Sequence, residues 1–191
     1  MAKQKINVDP VETLERLTRL IRAEEHTGDL NPAQWSALRY LARCNRFSNS
    51  PGALTRYLGA TKGTISQTLM ALERKGLISK AARPEEARSI ALVLTEAGEK
   101  RLQDDPWTAM RELIDRRGNK VRKKLAGAGD ELLSALLSER HLPTFGSCSS
   151  CRYFRENGAP AGVKGKHWCL SFEQPLTRSD ADRICASHDP A

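Results

Sequence analysis

No apolar run in this chain approaches the roughly 20 residues that a helical membrane span needs, which excludes that class of protein. The opening stretch MAKQKINVDP lacks the hydrophobic centre of a signal peptide, so a cytoplasmic protein with reduced cysteines is expected. Also missing are a glycine-rich phosphate loop, an H-E-x-x-H metal motif and any nucleophile–base–acid set, so the chain is expected not to be an enzyme. Cysteine is scarce over the first 140 residues, where Cys44 stands alone. A lone cysteine at a helix end is expected to be a small buried hydrophobe. What the chain does have is 191 residues, enough for one domain and an appendage, and a net charge of +8. From residue 141 on there are six basic and five acidic residues, so nearly all of the basic excess lies in the first 140. A basic excess there suits a phosphate-facing surface, although solubility charge alone also explains many basic domains.

The organising stretch is SPGALTRYLGATKGTISQTLMALERKG, from Ser50 to Gly76. Ser50 caps a first short helix with Pro51 at its first position, where a missing N–H costs nothing. Gly59 ends it, since glycine accepts a left-handed cap without steric penalty. Thr61 caps a second helix, Lys62 to Lys75, on which Ile65, Leu69 and Leu72 form one buried stripe. Its other face carries Lys62, Gly63, Thr64, Ser66 and Gln67. A helix in the major groove needs small donors and acceptors, one cation and no acid. Thr61, Lys62, Gly63, Thr64, Ser66 and Gln67 are therefore candidate DNA contacts. An ordinary helical hairpin with a polar face fits this stretch alone equally well. Beyond Gly76, Leu77-Ile78 opens one strand and Ser89–Leu94 a second. Between them lies the charged turn Ala82–Arg88, so the pattern is a winged helix. Arg83 and Arg88 on the wing are placed to reach phosphate or a minor groove.

Together, LNPAQWSALRYL (Leu30–Leu41), TKGTISQTLMALERKGLI (Thr61–Ile78) and EARSIALVLTEAG (Glu86–Gly98) make the chain resemble the MarR family of bacterial regulators. That family's wing usually has Asp-x-Arg where this chain has Glu86-Ala87-Arg88, a departure that keeps the acid and the arginine. The resemblance spans roughly Pro10 to His141. It implies a homodimer whose first and last helices form the interface, a pseudo-palindromic duplex DNA operator, and room for a small-molecule effector beside the dimer helices. The expected fold is mainly α with a small β wing (α+β): a winged helix-turn-helix with long dimerisation helices over residues 9–141, and a loop-rich metal-binding tail over 142–191.

Elsewhere, Asp9 caps a helix bearing Val11, Leu14, Leu17, Leu20 and Ile21, with Glu12 set for a capping box, and residues 1–8 read as a loose leader. Asn31, Pro32 and Gln34 start the next helix, with Trp35, Leu38, Leu41 and Ala42 inward and Tyr40 off that stripe. Pro106 should kink or restart the helical region after the wing. Gly127-Ala128-Gly129 is expected to break it, with Asp130 capping a final helix that carries Leu132, Leu133, Leu136 and Leu137. Those leucines need cover, and a partner subunit is the simplest source.

The tail holds Cys148, Cys151, Cys169 and Cys185, spaced C-x2-C-x17-C-x15-C. Its glycines and prolines imply loops, and it has few large apolar residues, so a metal would supply the missing stability. Unrelated thiols and disulfides are the competing readings. Cys148 and Cys151 form a zinc-type knuckle, and Cys185 with His188 could form a second that leaves Cys169 surplus. The single placement of Cys169 and Cys185 instead favours an iron–sulfur cluster on all four cysteines. His141 and His167 are not expected to be ligands. Arg152, Arg155, Lys164 and Lys166 could offset the charge of either centre. Only 141–147 separate the tail from the last helix, so changes in the centre are expected to act on that helix. Function is expected to be that of a dimeric DNA-binding transcriptional regulator, modulated or stabilised by its metal centre. The alternatives are a winged-helix protein-interaction module with a structural zinc, and a metal-dependent enzyme.

Overall fold

The structure is a computed structural model and describes residues 9–26, 28–83 and 86–191, without the side chains of 86–89. The elements of the reading body are α1 (Pro10–Glu24), α2 (Pro32–Arg43), α3 (Pro51–Leu58), α4 (Lys62–Arg74), β1 (Ile78–Arg83) and β2 (Glu86–Leu94). After the wing come α5 (Glu96–Arg101), a 3-10 turn at Leu102–Asp104, α6 (Trp107–Arg116) and α7 (Asn119–Glu139). The leader 1–8 and the wing-tip residues Pro84 and Glu85 lie outside the described residues, and so does the Arg88 side chain.

Helix starts follow local chemistry. Asp9 accepts from the Val11 N–H, and Asn31 and Gln34 close a reciprocal capping box. Ser50, Thr61 and Thr95 each accept from the amide three residues on. Each such cap contributes about 1 kcal/mol. Gly59 ends α3 at φ +60°, as its freedom allows. Gly98 is required for another reason: a Cβ there would meet the Leu77 carbonyl oxygen at 2.1 Å. That close approach seats α5 directly on the start of the wing.

The core lies where α2, α3, α4 and the wing meet. Leu38, Leu54, Ile65, Leu69, Leu72, Ile78 and Leu92 are all buried there with Trp35. The expected stripe on α4 is therefore the inner one. Tyr40 is a correction: it is buried, stacks at 4.6 Å on Tyr57 and donates to the Ser48 carbonyl at 2.8 Å. A polar tip let the ring enter the core away from the leucine stripe. β1 and β2 pair antiparallel from Ile78–Leu94 to Arg83–Glu86, with an irregularity at Ala82/Arg83.

Pro106 restarts the chain as α6, where Asp105 accepts from the Trp107 N–H. The expected break at Gly127-Ala128-Gly129 is absent, and α7 runs unbroken through it. Two glycines cost about 1 kcal/mol each against alanine in a helix interior, and 21 residues of helix absorb that. Along α1 and α7, Val11, Leu14, Leu20, Leu125, Leu132, Leu133 and Leu136 are exposed. No described helix is long and apolar enough to cross a membrane.

The tail is more ordered than its composition suggests. A 3-10 turn at Cys148–Ser150 precedes β3 (Phe154–Arg155), β4 (His167–Cys169) and β5 (Gln174–Leu176), which form one antiparallel sheet. α8 (Arg178–Ala181) closes it with a Thr177–Asp180 capping box. Its small core of Cys148, Leu176 and Ala181 is completed by Phe47 from the reading body. Phe47 also stacks on Phe172 at 4.5 Å. The tail therefore rests on the α2–α3 connector, residues 44–50, and its route into the fold is not the last helix alone.

Candidate nucleic-acid interface and cysteine centre

α4 presents its outer face as expected. Thr61, Lys62, Gly63, Thr64, Ser66 and Gln67 are all exposed, while Ile65, Thr68 and Leu69 are inside. Thr61 accepts from the Thr64 N–H at 3.1 Å and its hydroxyl meets that of Thr64 at 2.9 Å. The helix start is thus rigid, and no acid lies in its first turn. Lys62 makes no ion pair with any described residue, so its charge is free for an outside anion. A groove of about 360 Å³ runs between the start of α3, α4 and the wing, lined by Pro51, Thr55, Lys62, Ser66, Lys80 and Ile90. Lys80 was not foreseen from the sequence. It pairs with Glu73 at 2.6 Å and fixes the wing against α4.

Arg83 is placed differently from the expectation. Its guanidinium turns back on the Asn49 side-chain oxygen, and its Nε is buried without a partner. Asn49 also accepts from the Leu92 N–H at 2.7 Å and donates to the Leu92 carbonyl at 3.1 Å. One residue of the connector thus grips both wing strands. The signal for this role was slight, an Asn just before the Ser50-Pro51 cap.

In the tail, backbone hydrogen bonds gather the four cysteine-bearing segments. The Cys151 N–H donates to the Cys148 carbonyl at 3.0 Å, and the Cys185 N–H to that of Gly146 at 2.9 Å. Cys169 pairs with Phe154 in the sheet and packs against the Cys148 cluster. All five cysteines of the chain are free. Burial pushes the Cys148 thiol up to about 12, and the neighbouring Cys185, Cys169, Cys151 and Asp180 add to the rise. Even so, among the described residues no three His, Cys, Asp or Glu side chains stand in the arrangement of a metal-ligand group.

The histidines have other partners. His188 meets Ser150 Oγ at 2.9 Å through Nε2 and Thr144 Oγ1 at 3.4 Å through Nδ1. His167 is buried and accepts from the Asn157 N–H at 3.2 Å. Arg152 pairs with Asp189 at 3.2 Å, and Arg155 donates to the Arg152 and Phe154 carbonyls at 2.8 Å. These two arginines fasten the tail's own backbone.

No curated protein matches this chain in sequence. Among solved structures, the chain is similar to S. aureus MepR in complex with DNA, at 18% identity and a TM-score of 0.53, over 67% of this chain and 98% of that one. It is also similar to S. aureus MepR in its DNA-binding conformation, at 20% identity and a TM-score of 0.55, over 66% and 95%. Streptococcus pneumoniae FabT in complex with DNA matches at 24% identity and a TM-score of 0.51, over 69% and 99%. At these identities the likeness is one of fold. Residues 28–89, which hold α2, α3, α4 and the start of the wing, match the MarR family model, and the fold built around them is the MarR-type winged helix.

Proposed function

We propose that this protein is a dimeric, sequence-specific DNA-binding transcriptional regulator. The observation that carries the reading is the exposed, acid-free face of α4, capped by Thr61 and set beside a β wing. Similar structures include two solved with DNA bound, and the family matched over 28–89 is one of transcription regulators, not enzymes. Thr64 and Gln67 would read base edges, and Lys62 a phosphate or a guanine. Arg88 would hold phosphate from the wing. The exposed leucines of α1 and α7 would be covered by a second copy, which sets two recognition helices on one duplex. A DNA partner implies a cytoplasmic protein. The test is selection of bound duplexes from a random pool at physiological salt. The expected product is a pseudo-palindrome with half-sites about one helical turn apart. Binding without sequence preference would favour the interaction-module reading instead.

The tail is proposed to carry one metal centre on Cys148, Cys151, Cys169 and Cys185. Four free thiols on segments tied by backbone hydrogen bonds support it, as does the small tail core. The thiol side chains must adjust to close a ligand shell, and all four must lose their protons. The engagement of both His188 nitrogens favours the four-cysteine set over one with His188. An iron–sulfur cluster remains the preferred group, with zinc the alternative. Metal content and visible absorbance of protein purified without oxygen separate them. A coloured protein with iron and sulfide supports the first, and a colourless one with one zinc per chain the second.

A further inference from the structure

The tail's hold on the reading body is concentrated around one cysteine. Ile184, just before Cys185, donates its N–H to the Arg43 carbonyl at 2.8 Å and accepts from the Asn45 N–H at 2.9 Å. Ala186, just after it, donates to Ser48 Oγ at 2.7 Å. Ser48 is buried, and its hydroxyl donates to Asn45 Oδ1 at 2.8 Å. From the same tail, Asp180 pairs with Arg46 at 2.9 Å, and the Pro175 carbonyl accepts from Arg46 at 2.6 Å. The connector is thus clamped to the tail at 43, 45, 46 and 48. One residue further on, Asn49 binds Leu92 of β2 and Arg83 of β1, and Ser50 caps α3. No element intervenes between the neighbours of Cys185 and the groups that seat the wing and start the helix-turn-helix.

From this path we propose that the state of the cysteine centre sets DNA affinity through the 44–50 connector of its own subunit, and not through α7. The proposal rests on the four-cysteine centre described above. A ligated Cys185 holds Ile184 and Ala186 in place, and these hold Asn45 and Ser48. That keeps Asn49 on both wing strands and Ser50 on α3, the geometry in which α4 and the wing face one duplex together. Loss of the ligand frees the 184–186 strip, because this part of the tail has little core of its own. The two wing contacts at Asn49 then lose their support. The loaded protein is therefore the tighter DNA binder. Coupling between a ligand site and a second site through such a shared element needs only differential affinity for two arrangements.

The experiment compares full-length protein loaded anaerobically with ferrous iron and sulfide, or with zinc, against chelator-stripped protein. Operator affinity, metal content and oligomeric state are read for each. In wild type, loading should tighten operator binding by about tenfold, within the usual range for coupled sites. Arg46→Gln removes the exposed clamp, and Ser48→Ala the buried one. Either should retain the loaded metal and the dimer yet bring the two affinities together. Inserting two glycines after Leu142 loosens the link to α7 and should leave the ratio unchanged. A ratio that survives Arg46→Gln and Ser48→Ala but collapses on the glycine insertion would overturn the connector path. Equal affinities of loaded and stripped wild type would overturn any coupling while leaving the centre intact. If neither iron with sulfide nor zinc is retained, it is the centre itself that fails, and the proposal falls with it.

Discussion

Arg39 on α2 reaches Asp105 at 2.8 Å, at the point where the reading body meets α6. The same guanidinium binds Glu25 at the end of α1, and Trp107 Nε1 donates to Glu25 at 3.0 Å. Both carboxylates are buried, while Arg111 gives Asp105 a second, more exposed partner at 3.3 Å. One cation thus joins the reading body to the two arms that carry the exposed leucines. Arg39→Met should cost about 3–5 kcal/mol, because it strands buried carboxylates. Urea unfolding at fixed protein concentration measures it. Adding Glu25→Gln and Asp105→Asn to Arg39→Met should recover much of the loss, since no unpaired charge is then buried.

On the recognition helix, Gln67→Ala should shift sequence preference by about 1–3 kcal/mol at one base pair per half-site. Binding measured against operators changed at single positions would show it. Arg88→Ala should weaken binding to all sequences and flatten its dependence on salt, because a phosphate contact releases counterions without reading bases. An equal loss on every duplex for Gln67→Ala would remove that residue from base reading.

The parts that were legible in the sequence are those fixed by local chemistry. Ser50-Pro51, Thr61 and Gly59 each act within one helical turn, and the Ile65–Leu69–Leu72 stripe repeats at the helix period, so the α3–α4 unit could be read directly. Tyr40 could not, because its hydroxyl is satisfied by Ser48, whose carbonyl is offered only by the folded connector. The glycines at 127 and 129 were misleading, because a long helix tolerates a local penalty that a short one would not. The seat of the tail depends on Phe47 with Phe172 and on Arg46 with Asp180, pairs more than 120 residues apart in sequence with no periodic signature.

For assembly, Leu133 and Leu136 are exposed on α7, and Leu14 and Leu17 on α1. Leu133→Glu or Leu136→Glu should dissociate the dimer and lower operator binding in parallel, since two half-sites must be held at one spacing. Sedimentation and operator titration on the same samples check both effects. A monomer that keeps full operator affinity would exclude the assembly.

Cys44 offers a test of the seam between connector and tail. It is buried at the end of α2, and burial pushes its thiol up to about 11. An acid held up in this way favours its neutral form in the folded state. Stability is therefore untouched at neutral pH and falls as pH rises from the ordinary value of 9.0 toward 11. At pH 8 only about one thiol in a thousand would be ionised, so alkylation of native protein should be far slower than in urea. Peptide mapping after brief iodoacetamide treatment reads this. Equal labelling in the two states would mean that the seam opens freely. Cys44→Ser should leave metal content unchanged.

The ligand set of the tail is decided by Cys169 and His188. Cys169 packs with the Cys148 cluster from β4, whereas both nitrogens of His188 are engaged by hydroxyls, Ser150 on one side and Thr144 on the other. A ligand must present a lone pair, and turning His188 inward would forfeit those two hydrogen bonds, which hold residue 188 to the 144–150 strip. Cys169→Ser should therefore abolish the metal centre, because one missing thiolate leaves an open shell around which the tail cannot close. His188→Ala should keep the metal and loosen only the C-terminal strip, at a cost of about 1 kcal/mol per lost hydrogen bond. Metal analysis of the two variants beside wild type gives the answer. Metal retained by Cys169→Ser but lost by His188→Ala would assign a zinc held by Cys148, Cys151, Cys185 and His188 in place of the four-cysteine centre.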